Sequence, residues 1–199
     1  MGSGYPQAEC QTVNRASSLS SWNFPDFQPN LIFNLQKKAK QTDVLSNAAI
    51  NATGLLLSYK TKEILNRFNL INHKYYEVQI NQKDEVVKYY WLHLCEPELI
   101  NSIDYRKSTF YRTEFTFREE KINLSSYKEY ENLKSIDKNA SFGIDLDEIY
   151  VTEKFNTHLD LFTFLPFDDK IYVSQRLKEA LINENITGLK FDEATTFHL

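Results

Sequence analysis

The chain predicts an α+β fold, with a mostly antiparallel or mixed sheet and a few helices on one side of it. Three observations carry that prediction. Apolar and polar residues alternate from Tyr76 to Ile80 and from Tyr111 to Arg118, as half-buried strands require. Helical spacing interrupts the alternation at Thr61, Ile64, Leu65 and Phe68, and again at Leu177, Ala180 and Leu181. Aromatics make up 14% of the chain, with 14 Phe and 12 Tyr against 5 Gly and 5 Pro, which favours aromatic-rich strands over glycine-rich ligand loops.

Residues 1–28 are rich in Ser, Gln and Asn and lack periodicity, so they read as a flexible arm that adds little stability. Residues 29–199 then form a single domain, on which Trp22, Phe24 and Phe27 dock the end of the arm. Leu31–Leu35 is a short strand, and Asp43–Ala49 caps and begins a short helix. Val86–Leu94 (VVKYYWLHL) is apolar on both faces, which fits a central strand covered on both sides. Tyr111, Thr113, Phe115 and Phe117 alternate with Arg112, Glu114, Thr116 and Arg118, predicting one amphipathic strand with a wet face. Ser126 and Glu129 match a capping box that opens a helix with Tyr130, Leu133 and Ile136 pointing inward. Asn139–Gly143 is a turn, Ile144–Val151 and Leu159–Leu165 are strands, and Asp168-Asp169 is a turn. No linker divides the domain.

Two segments say nearly the same thing. Leu57–Glu77 reads LSYKTKEILNRFNLINHKYYE and Val173–Glu193 reads VSQRLKEALINENITGLKFDE. A shift of 116 positions carries Ser58 onto Ser174, Lys62 onto Lys178, Glu63 onto Glu179, Leu65 onto Leu181 and Asn69 onto Asn185. Each copy predicts a strand end, a helix of about ten residues capped by its serine, a left-handed stop at its asparagine, and a following strand. Leu70 and Ile186 would fold back onto Leu65 and Leu181 to complete Schellman-type stops. Internal duplication and capping chemistry used twice both remain open. Either way these segments are scaffold.

The 199 residues, 42% hydrophobic and 25% charged, suffice for a real core without staples. A formal charge of −4 argues against nonspecific nucleic-acid binding, which needs concentrated Lys and Arg. No apolar run approaches the ~20 residues of a membrane span, and no charged segment followed by an apolar one opens the chain as in a secretory signal. The expected compartment is the cytoplasm, where Cys10 and Cys95 are free thiols, although one disulfide between them is conceivable.

Catalytic motifs are missing: there is no HExxH, no CxxC pair, no phosphate-cradling glycine loop and no GxSxG turn. His93 and Cys95 share one side of a predicted strand and could seed a zinc site, but ordinary packing accounts for both. No metal or organic cofactor is expected. His73 sits in a post-helix turn, where capping suits it better than catalysis. Asp145 and Asp147 share one face of a strand with Glu148 on the other, a paired-carboxylate candidate or simply solvated surface.

The order TDVLSN, LLLSYKTKEILNRF, KYYWLHL and IYVSQRLKEALINENITGLKF resembles bacterial immunity-protein family eleven. Its phrases "VS-x-x-L-K-x-x-L", "YYWL" and "TGL-x-F" are matched by Leu57–Leu65, Tyr89–Leu92 and Thr187–Phe191. The resemblance spans about Thr42 to Phe191 and implies a polymorphic-toxin system, with this chain as a non-catalytic protein that binds and neutralises one cognate toxin. A basic toxin face would then meet an acidic rim of Asp145, Asp147, Glu148, Asp168 and Asp169, the densest acidic surface near the second repeat copy. The competing reading is a small enzyme or ligand- or metal-binding domain using His93 and Cys95 or the Asp145–Glu148 cluster. A toxin-like reading frame beside the gene favours the first, and stoichiometric zinc favours the second.

Overall fold

A strand as apolar on both faces as Val86–Leu94 needs two covers. A computed structural model, which describes residues 6–46, 50–83, 85–115, 117–137 and 141–199, supplies both. The chain is α+β, and it forms two compact units. The first holds residues 1–96, 159–162 and 173–191, and the second holds 97–158, 163–172 and 192–199. The chain passes between them five times, at 96/97, 158/159, 162/163, 172/173 and 191/192, so no linker marks the division in the sequence.

The first unit opens with β1 (Ala8–Cys10), α1 (Val13–Ser17), β2 (Ile32–Leu35), β3 (Val44–Leu45), β4 (Gly54–Leu57), α2 (Tyr59–Leu65), β5 (His73–Gln82) and β6 (Glu85–Leu94). They build a six-stranded sheet in the order β1-β2-β5-β6-β4-β3, antiparallel except where β2 runs parallel to β5. Tyr89 and Trp91 of β6 join Ala8, Cys10, Ala16 and Leu19 in one buried cluster. On the opposite face, Tyr90 meets Tyr59 of α2 with ring centroids 6.2 Å apart. From residue 6 on, the leader is therefore not a flexible arm. Its apolar residues are too few to show a period, but they are the cover that one face of β6 requires. The short helix expected at Asp43–Ala49 is also replaced, because Val44 and Leu45 pair with Leu57 and Leu56 as strand; residues 47–49 lie outside the described residues.

The two repeat copies form a reciprocal pair. Ser58 caps α2 by accepting from the Thr61 N–H, and Ser174 caps α4 (Gln175–Asn183) by accepting from the Leu177 N–H. Each serine is itself held by an aspartate. The Ser58 hydroxyl donates to Asp43 Oδ1 at 3.0 Å, and the Ser174 hydroxyl donates to Asp160 Oδ1 at 2.6 Å. Each aspartate's other oxygen then grips the segment that follows the opposite helix. Asp43 Oδ2 accepts from the Thr187 N–H at 3.0 Å and the Thr187 hydroxyl at 2.6 Å, and Asp160 Oδ2 accepts from the Asn69 N–H at 2.8 Å. Lys60 Nζ donates to the Glu184 carbonyl at the end of α4, while Arg176, its counterpart in the repeat, lies over the Phe68 ring beyond α2 at 5.3 Å.

The stops differ between the copies. Asn185 has φ 54°, and the N–H groups of Asn185 and Ile186 donate to Ile182 and Leu181, which is a Schellman stop. Helix α2 instead ends at Leu65 with Asn66 as its cap, two residues short of where a stop at Asn69 would end it. The strand expected after α4 is also absent. Gly188 turns the chain there at φ +91°, and a Cβ on it would stand 2.0 Å from the Val44 carbonyl oxygen.

In the second unit lie β7 (Thr109–Glu114), β8 (Phe117–Ile122), α3 (Tyr127–Ile136), β9 (Phe142–Tyr150) and β12 (Phe197–His198); the two-residue strand β10 (Leu161–Phe162) belongs to the first unit, and β11 (Tyr172–Val173) falls at the boundary. The unit's sheet has the order β12-β9-β7-β8. Its core is aromatic, with the Phe167 ring 5.0 Å from Tyr130, 5.6 Å from Phe110 and 6.0 Å from Tyr127. The strand expected over Leu159–Leu165 is only β10, and the turn expected at Asn139–Gly143 falls partly outside the described residues, with Gly143 already inside β9.

Candidate partner-binding surface

The expected amphipathic strand from Tyr111 to Arg118 is a hairpin. Strand β7 ends at Glu114, and Phe115 turns the chain with φ 55° into β8. Thr116 lies outside the described residues. The turn contains no Gly or Asn, so the sequence reads through it as unbroken alternation. Phe115 and Phe117, expected on a buried face, are 74% and 72% exposed.

Strand pairing puts Glu114 opposite Phe117 on one side and opposite Phe142 on the other, so these three side chains share one face of the sheet. Helix α3 covers part of that face, with Tyr130 buried and its ring 6.5 Å from Phe142. The capping box that opens α3 is displaced by one residue: Ser126 accepts from the Glu129 N–H, while Glu129 accepts from the backbone and hydroxyl of Ser125. Leu133 and Ile136 do not point into the core as expected. They are 37% and 73% exposed. A groove of about 340 Å³ lies beneath, lined by Arg112, Glu120, Ile122, Leu133, Ile136 and Phe142 among others. Arg112 pairs with Glu120 at 3.7 Å and sits 5.9 Å from the Phe142 ring centre.

The acidic candidates separate. Asp145 and Asp147 share the opposite face of the sheet, and Arg118 bridges them, Nε donating to Asp145 at 2.5 Å and Nη1 to Asp147 at 2.7 Å. The hydrogen bonds it donates to Asp145 first, and then to Asp147, raise the guanidinium's pKa further above its ordinary value. Glu148 does not face the core: a register shift beside Thr109 and Phe110 breaks the alternation, so Ile149 is the buried neighbour and Glu148 is exposed. Asp168 is buried, accepting from the Tyr172 hydroxyl at 2.5 Å and from Lys170 Nζ at 3.1 Å, so its carboxylate is not presented as a rim. Burial first, and Asp168 second, push the Tyr172 hydroxyl's pKa up. Asp169 is exposed.

In the first unit, His93 is fully buried and donates from Nε2 to the Ser20 carbonyl at 2.8 Å. Its ring stacks on Trp91 at 4.5 Å and meets Phe24 edge-on at 5.1 Å, and burial lowers its pKa. Cys95 is a buried free thiol whose pKa burial raises, and Cys10 is likewise buried and free. Among the described residues, no group of three or more His, Cys, Asp or Glu side chains is placed to hold a metal ion. His73 bonds the Ile71 carbonyl through Nδ1 at 2.9 Å, a local turn contact at the start of β5. No helix among the described residues is long and apolar enough to cross a membrane.

Composition alone did not point to the hairpin's phenylalanines, to Arg118, or to the paired aspartates Asp43 and Asp160. Among comparisons with known proteins, the model of the immunity protein family (Imm11) matches residues 3–196. No curated protein matches the chain.

Proposed function

The chain belongs to the Imm11 immunity protein family, and from that membership we propose that it is a non-catalytic protein that neutralises a cognate bacterial toxin in the cytoplasm by direct contact. The match over residues 3–196 carries the reading, since it takes in both repeat copies and both units. Other features support it. His93 and Cys95 are spent on packing, and the carboxylates of Asp145 and Asp147 are spent on Arg118. Such an interface is usually ~800 Å² per partner, centred on aromatic anchors with a charged rim. In this proposal the toxin is basic. Asp145, Asp147, Glu148 and Asp169 act as a source of long-range attraction for it, with Glu148 and Asp169 the exposed members that form no ion pair among the described residues.

Co-expression in a sensitive host with the product of an adjacent toxin-like gene tests the reading. The product should be lethal alone and tolerated when this chain is present. A product that is harmless alone, or that stays lethal beside folded protein, ends the immunity reading.

A further inference from the structure

We propose that the groove between α3 and the β7–β8 hairpin is the anchor for that toxin, an inference that rests on the immunity reading. It takes a Lys or Arg side chain of the partner at Glu114, between Phe117 and Phe142, with a neighbouring apolar side chain seated against Ile122 and Ile136.

Four observations converge on this occupant. First, the face is apolar and open: Ile136, 73% exposed, lines a groove of about 340 Å³ with Ile122, Leu133 and Phe142, and Phe117, 72% exposed, stands directly across the strands from the lining residue Glu114. Large exposed apolar residues gathered in one place mark an interaction surface more often than scattered ones do.

Second, the surface is acidic where it is apolar. Among the described residues, Glu114 and Glu120 line the groove with one cation, Arg112, and Arg112 is already paired with Glu120. Glu114 has no ion pair among the described residues, yet its cross-strand neighbours are both phenylalanines. A carboxylate between two rings receives a cation with an aliphatic stem well, since the stem covers the rings while the charge meets the carboxylate. Phe142 already shows the chemistry, with the Arg112 guanidinium 5.9 Å from its ring centre.

Third, the turn is strained in a way that favours its side chains. Phe115 holds φ 55°, a region costly for a bulky residue and free for Gly, so the hairpin tip keeps an aromatic where a glycine would turn more easily. Fourth, a second copy of this chain is a poor occupant. A self-complementary contact would set Glu114 and Glu120 of one copy against the same carboxylates of the other. The charged run Arg118, Glu119, Glu120 and Lys121 along the sheet-edge strand β8 opposes edge pairing as well.

The test uses the full chain, the purified product of the adjacent toxin gene, and association and dissociation rates measured on an immobilised partner. Glu114→Gln keeps the shape and removes the charge, and it should raise the dissociation rate roughly tenfold. Phe117→Ser with Ile136→Ser should raise it further, with the thermal midpoint unchanged because both side chains already face solvent. Glu148→Lys with Asp169→Lys should slow association and leave dissociation alone. If the Glu114 and Phe117/Ile136 variants dissociate like the wild type, the anchor is elsewhere and this inference is overturned while the immunity reading stands. If the double serine variant unfolds, Glu114→Gln alone decides. If the wild-type chain neither binds nor protects, both readings fall together.

Discussion

Asp43 and Asp160 each do two jobs with one carboxylate. Burial by itself pulls their pKa values up. Hydrogen bonds from Thr187 and Ser58 at Asp43, and from Arg176, Ser174 and Asn69 at Asp160, outweigh it and leave both below 3.8. A carboxyl with a depressed folded-state pKa stabilises the fold above its unfolded value and loses that contribution as pH falls through the folded one. The wild type should therefore lose stability as pH drops below about 4. A double Asp43→Asn, Asp160→Asn variant should be less stable at pH 7 and show a flatter decline below pH 4, as read from urea midpoints at pH 7, 4 and 3. Ser174→Ala should cost about 0.5–2 kcal/mol through the lost cap. Gly188→Ala should cost more than about 2 kcal/mol, since a left-handed residue alone costs roughly 1–2 kcal/mol and the new methyl would meet the Val44 carbonyl; chemical denaturation measures both. The serines were legible because capping is local chemistry. Asp43 and Asp160 were not, because what they hold lies 144 and 91 residues away.

Elements differ in the same way. Strand β6 and helices α2 and α4 could be read from period and caps, since each carries its own pattern. The leader could not. Its share of the buried cluster is four small or scattered residues, Ala8, Cys10, Ala16 and Leu19, each at most 5% exposed, and their value depends on the face of β6 that they cover. Deleting residues 1–20 should lower the thermal midpoint by about 10 °C or more, because losing several kcal/mol in a chain of this length moves it by roughly 2–4 °C each. A midpoint unchanged in a thermal melt would show that the leader only rests on the sheet. The β7–β8 hairpin was illegible for another reason. Alternation continues through the turn, and only the backbone angle of Phe115 reveals it. The acidic cluster was legible as composition, but its partition between Arg118, Lys170 and solvent depends on the register shift in β9 and on tertiary pairing.

For the whole molecule, charge and contact make separable predictions. Reversing Glu148 and Asp169 to Lys should slow association with a basic toxin severalfold at low salt, and the effect should fade as ionic strength rises. Rates measured between 20 and 500 mM salt check this, and a salt-independent effect would mean direct contact. The reciprocal grip of Asp43 and Thr187 has a further consequence, for the order of synthesis. Helix α2 leaves the ribosome early, but its aspartate waits for a partner 144 residues downstream. At translation rates of roughly 5–20 residues per second, that wait lasts about 7–30 s. The first unit thus closes only when residues 173–191 have emerged, and any nascent chain that stops short of them leaves the Asp43 carboxylate without its Thr187 partner.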